Sequence, residues 1–117
     1  MERTRIQDQA VFCHYHEGSR LSALDRCDLI ECEDYARTLG YQGLTIHVAD
    51  PSRLSGIAEY ACTCRLGETW VTWVFARFEN LVVAWSALTG RDAGTFDSMS
   101  EAIRCVLLRD PTKANGR

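Results

Sequence analysis

From Thr69 to Leu88 the chain reads TWVTWVFARFENLVVAWSAL, an apolar run broken at its centre by Glu79-Asn80. It contains all three tryptophans, and its valines, aromatics and threonines suit a pleated, half-buried surface. Glu79-Asn80 predicts a two-residue hairpin loop, because Asn tolerates the positive φ that such turns require. Residues directly opposite in an antiparallel pair share a face. Phe78, Ala76, Val74 and Thr72 then face Leu81, Val83, Trp85 and Ala87 on one side. The other side carries Val71, Trp73, Phe75 and Arg77 against Val82, Ala84, Ser86 and Leu88. Both faces are apolar, so each needs a cover.

The same patterning orders the rest of the chain. Ala10 to His16 (AVFCHYH) alternates as a first strand, ended by Glu17-Gly18-Ser19. A helix is predicted over about 23–39, with Ser22 or Asp28 as cap, capping-box spacing between Asp28 and Glu31, and an apolar stripe of Leu29, Cys32, Tyr35, Ala36 and Leu39 before Gly40. Gly43 to Ala49 alternates with Leu44, Ile46 and Val48 inward and Thr45 and His47 outward. Asp50-Pro51 opens a short helical turn to about Gly56. Tyr60 to Leu66 is the next strand, turning through Gly67-Glu68 so that Cys64, Cys62 and Tyr60 oppose Val71, Trp73 and Phe75. The stretch after Leu88 reads as a loop. Ser98 and Glu101 open a helix over about 98–109, with Met99, Ala102, Ile103, Val106 and Leu107 in a stripe that Asp110-Pro111 stops.

These elements predict one α+β domain spanning 1–117, mainly antiparallel, with a central meander over about 60–88 and fraying ends at 1–8 and 111–117. If both helices pack on the face of Val74, Val83 and Trp85, the face of Tyr60, Cys62, Trp73, Phe75 and Val82 stays open. A two-fold axis would cover it with its own copy, which predicts a homodimer.

Composition narrows the class. Hydrophobic residues at 46% and charged ones at 25% are those of an ordinary globular chain. A net charge of −3 argues against a general nucleic-acid binder. No apolar run approaches the roughly 20 residues of a membrane span, and the first residues lack the apolar stretch of a secretory signal. A cytoplasmic protein is expected, in which the six cysteines are thiols rather than a disulfide framework.

Three groups of residues offer chemistry. In the cluster of Cys13-His14-x-His16 with Cys62-x-Cys64, the alternating pairs His14/His16 and Cys62/Cys64 supply two imidazole and two thiol ligands, a donor set that suits zinc. The spacing differs from the tight CxxC turns of zinc fingers. His14-x-His16 resembles the metal strands of cupins, but Glu17 follows at once where that pattern places a glutamate further on. The expectation is core cysteines, surface histidines, no metal and no cofactor. A Cys–His nucleophile with His14, His16 or His47 as base has no accompanying elbow or phosphate loop. Asp25, Asp28, Glu31, Glu33 and Asp34 form an acidic helix face, solvated by default. Its sharper reading is a docking surface for a basic partner, formed by Asp25, Asp28, Glu31 and Asp34, as in small inhibitors from phages and mobile elements.

The order of helix, strands and helix resembles that of double-stranded-RNA-binding domains. Ser98, Met99, Ser100 and Glu101 stand where those domains set basic residues, so no RNA-binding function is carried over. The function expected from the sequence is therefore a non-enzymatic interaction or regulatory protein, homodimeric and acting on a macromolecular partner. A zinc-binding domain or metal-assisted enzyme is the alternative.

Overall fold

A computed structural model describes residues 20–49 and 57–113. The strand expected at Ala10–His16 and the turn expected at 50–56 lie outside the described residues. Elsewhere the fold is α+β, as the patterning predicts. Helices α1 (Ala23–Glu31) and α2 (Glu33–Thr38) precede strands β1 (Thr45–Val48), β2 (Glu59–Thr63), β3 (Trp73–Phe78), β4 (Leu81–Ser86) and β5 (Asp92–Phe96), and α3 (Met99–Val106) follows them. The five strands form one antiparallel sheet in the order β1-β2-β3-β4-β5.

The β3–β4 hairpin has the predicted register, with Phe78 opposite Leu81, Ala76 opposite Val83 and Val74 opposite Trp85. Its turn places the positive φ on Glu79 (56°) rather than Asn80. The β2–β3 pairing differs from expectation by one residue. Cys62 lies opposite Val74 and Ala61 opposite Phe75. Gly67-Glu68 is not a tight hairpin loop between these strands. After Thr63 the chain turns aside, and Tyr41 bridges Arg65 while the Gln42 side chain donates to the carbonyls of Arg65 and Glu68. With the chain drawn away to meet Tyr41-Gln42, the turn no longer dictates the register. A one-residue slip moves a strand's side chains to the opposite face. Tyr60 and Cys62 thus lie on the Val74 and Trp85 side, away from Trp73.

The helices also cover the face opposite to the one expected. One row across the sheet runs Ile46, Ala61, Phe75, Ala84, Gly94, and the next runs Thr63, Trp73, Ser86. In each, a large ring on β3 is flanked by small side chains, so a helix can approach the sheet and still enclose the ring. Trp73, Phe75, Val82 and Ala84 are fully buried there with Leu29, Cys32, Met99, Ile103 and Val106. The predicted stripe of α3 is buried throughout. Trp73 Nε1–H donates to the Tyr41 hydroxyl at 3.1 Å, which satisfies the indole within the core.

Three further expectations are corrected. The first helix divides at Cys32, and of its two candidate caps it uses Ser22, whose hydroxyl accepts from Asp25 N–H while the Asp25 carboxylate accepts from Ser22 N–H. The stretch after Leu88 contains β5, which lacks apolar alternation and pairs with β4 through an irregularity at Ala84/Trp85. All four residues of β1 are exposed, because it is the edge of the sheet among the described residues and α1 ends short of it.

Candidate functional site

Each acidic residue of the first helical segment has a distinct setting. Asp25 is fully buried and takes both Arg77 Nε–H and an Nη2–H, each at 2.8 Å. Burial alone would raise its carboxyl, but the Arg77 hydrogen bonds and charge, with Ser22, hold it below its ordinary value. Asp28 is buried as well, and it accepts from Ser100 N–H in the first turn of α3. This cap joins two helices, and the sequence spacing pointed to a different role. Glu33 accepts from Leu44 N–H at 2.9 Å and pairs with Arg37. The Leu44 hydrogen bond is the main cause of its lowered carboxyl. Only Glu31 and Asp34 are exposed without an ion-pair partner among the described residues. The four-carboxylate docking surface is therefore reduced to these two.

The expected interface of Tyr60, Cys62, Trp73, Phe75 and Val82 does not exist as one surface. Trp73, Phe75 and Val82 are interior, while Tyr60 and Cys62 lie on the opposite face of the sheet. That face carries its own smaller cluster of Ala49, Ile57 and Ala76, with Tyr60 and Trp85 packed against it. His47 stacks on Tyr60 with ring centroids 5.5 Å apart, and its Nε2 lies 3.0 Å from Thr45 Oγ1. Thr45 Oγ1 is in turn 3.5 Å from Cys62 Sγ. This His47–Thr45–Cys62 chain has the outline of a nucleophile relay. However, Cys62 is only 2% exposed, and burial first, then the neighbouring Cys64, pushes its thiol up despite the Thr45 contact. A nucleophilic cysteine needs the opposite shift. Among the described residues no group of three or more His, Cys, Asp or Glu side chains is placed to hold a metal, and Cys13, His14 and His16 lie outside them.

The feature that sequence reasoning missed is a groove between α1 and β1. It is an open depression of about 620 Å³, with Leu29, Ile30, Leu44 and Ile46 as its apolar wall and Arg26, Glu33 and Asp34 at its margin. Its position follows from how α1 is fastened. Arg26 binds Glu59 at 2.7 Å, Glu59 also accepts from Leu21 N–H, and Asp25 binds Arg77. The helix is thereby held over β2 and β3, and its Arg26, Leu29 and Ile30 flank turns toward the edge strand. Ile30 is 77% exposed and Val48 83%. The available signal was Ile30 itself, an isoleucine off the buried stripe. Arg26 is neutralised by Glu59 and Glu33 by Arg37, so of the charged residues lining this groove Asp34 is the one without an ion-pair partner among the described residues.

Among the described residues no helix is long and apolar enough to cross a membrane. No protein-family model, characterised protein or solved structure matches the chain.

Proposed function

We propose that this domain is a non-catalytic interaction module that docks a macromolecular partner in the groove between α1 and β1. The observation that carries the reading is the apolar wall of that groove, above all Ile30, left largely exposed beside an edge strand whose Ile46 and Val48 are exposed as well. Exposed aliphatic side chains gathered at a concave surface are typical of a binding site. The carboxylate of Asp34 at the groove's margin, unpaired among the described residues, favours a partner that brings positive charge. The buried, proton-retaining Cys62 weighs against catalysis by the His47 relay. The free thiols of Cys27, Cys32, Cys62, Cys64 and Cys105 support a reducing, cytoplasmic setting as part of the same proposal.

Selection from a display library of short random peptides tests this reading. Peptides are expected to be recovered whose binding is lost on Ile30→Glu, a change at an exposed position that leaves the unfolding free energy from urea denaturation within about 0.5 kcal/mol of wild type. Recovery of no peptide that depends on Ile30 would overturn it.

A further inference from the structure

We infer that the occupant of this site is an extended peptide segment of a partner protein, rich in alternating apolar residues and carrying Lys or Arg, which adds to the sheet as a strand beside β1. The inference rests on the docking groove proposed above and goes on to name what enters it.

The direction of the main-chain groups on β1 carries the first step. Ala49 N–H donates to the carbonyl of Ala58 at 2.8 Å, and these residues continue the register in which Val48 lies opposite Glu59. In an antiparallel pair, hydrogen-bonded and non-hydrogen-bonded positions alternate. Thr45, His47 and Ala49 therefore turn their backbone groups toward β2, and Leu44, Ile46 and Val48 turn theirs outward. The Leu44 N–H is taken by the Glu33 carboxylate. Ile46 and Val48 remain, and among the described residues nothing pairs with their outward N–H and C=O groups.

Edge strands are commonly protected by lysine, proline, a bulge or a covering element. Thr45–Val48 contains no lysine, proline or bulge, no element among the described residues covers it, and every residue in it is exposed. Ile46 and Val48 also share the helix-side face, so their side chains extend the wall begun by Ile30 and Leu44. An incoming strand would gain main-chain hydrogen bonds from Ile46 and Val48. Its alternate side chains would meet Ile30 and Ile46, the usual division between backbone affinity and side-chain specificity in strand addition.

Charge distinguishes a foreign strand from a second copy of this chain. The net charge is −3, and the groove-lining carboxylate without an ion-pair partner among the described residues is Asp34. Two copies meeting here would set acidic margins near each other, whereas a segment bearing Lys or Arg complements them.

The test uses peptides selected as above, resynthesised with backbone N-methyl groups at single positions. Methylation at every second residue, those whose N–H faces β1, is expected to weaken binding about tenfold or more, equivalent to about 1.4 kcal/mol. Methylation at the intervening residues should be tolerated. Val48→Pro should cause a similar loss, since it removes an outward N–H and leaves the bonds to β2 untouched, and Asp34→Lys should weaken peptides in proportion to their Lys and Arg content. Peptides that need Ile30 but bind equally well in both methylation series, or bind as helices, would overturn strand addition and leave the groove standing. Selection of no Ile30-dependent peptide removes the groove itself. A dimer in sedimentation that Val48→Pro dissolves would show a second copy as the occupant and overturn the foreign strand.

Discussion

On one face of β3, Trp73 and Phe75 are fully buried beneath a helical layer, while on the other Ala76 belongs to a smaller cluster against which Tyr60 and Trp85 pack half-buried. Judged by hydrophobicity the two faces are nearly equal, and Trp85 looks as fit for the core as Trp73. The difference lies in the neighbours. Trp73 and Phe75 are flanked by Thr63, Ser86, Ala61 and Ala84, which leave room for α3 to descend onto the sheet. Trp85 instead shares its face with Val74, Val83 and Cys62, a rougher surface on which a helix would ride higher. Burial in a sheet is thus decided by the size of the cross-strand partners as much as by the apolar character of a residue.

The largest expected effect comes from breaking this comparison at its two tryptophans. Trp73→Ala removes a fully enclosed ring and its hydrogen bond to Tyr41, and is expected to cost about 3–5 kcal/mol, much of the stability of a domain of this kind. Trp85→Ala removes a half-buried ring and should cost about 1–2 kcal/mol. Urea denaturation of both variants checks the order. Equal losses would mean that the second cluster is as much a core as the first.

The next effect concerns the fastening of the helical layer to the covered face. Arg77 shares that face with Trp73 and Phe75, and its guanidinium grips buried Asp25 at the start of α1. Asp25→Asn leaves Arg77 without its charge partner and is expected to cost about 3 kcal/mol, the lower end for a broken buried pair because Arg77 keeps some contact with water. The same residue sets a pH dependence. The folded-state value of Asp25 is depressed, so its contribution is fully present above the unfolded carboxyl value, about pH 4, and is lost as pH falls through the folded value. Glu33, also depressed, acts in the same sense. Wild type should therefore lose more stability than Asp25→Asn between neutral and strongly acidic pH. Parallel loss in the two proteins would show that Asp25 is not the titrating fastener.

What the sequence disclosed, and what it hid, follows from the range of the forces involved. The hairpin around Glu79-Asn80 and the stripe of α3 are local patterns, with a short turn or a single helical period fixing each residue's direction. The β2–β3 register was not local, because the connection bends away to Tyr41 and Gln42, whose contacts with Arg65 and Glu68 span more than a turn. β5 was hidden because Asp92–Phe96 carries a glycine at φ 125° and no alternation, and its strand character comes from β4 beside it. Inverting the faces carried directly into the site. Trp73, Phe75 and Val82, which the expected helix placement leaves at an interface, are interior, and Asp25 and Asp28 look solvated from the sequence because their partners, Arg77 and Ser100, are remote along it. Ile30 and Val48 were visible as apolar residues, but their exposure depends on where α1 is anchored.

The smallest effect tests the element that keeps the two faces apart. The β3–β4 register is set at a two-residue turn whose first central position, Glu79, has a φ of 56°, a conformation that disfavours a side chain with a Cβ. A primed hairpin turn with positive φ at that position favours glycine there. Glu79→Gly relieves this strain at some cost in unfolded-chain entropy, and the net expectation is a gain of about 0.5 kcal/mol. Arg77 also donates to the Glu79 carbonyl at 3.3 Å, a main-chain contact that the substitution retains. A stabilised variant with an unchanged near-ultraviolet tryptophan spectrum would show that the turn holds the register already present. A loss of stability, or a spectrum altered at Trp73 and Trp85 together, would show instead that the Glu79 side chain helps hold β3 and β4 in the alignment that separates the covered face from the other.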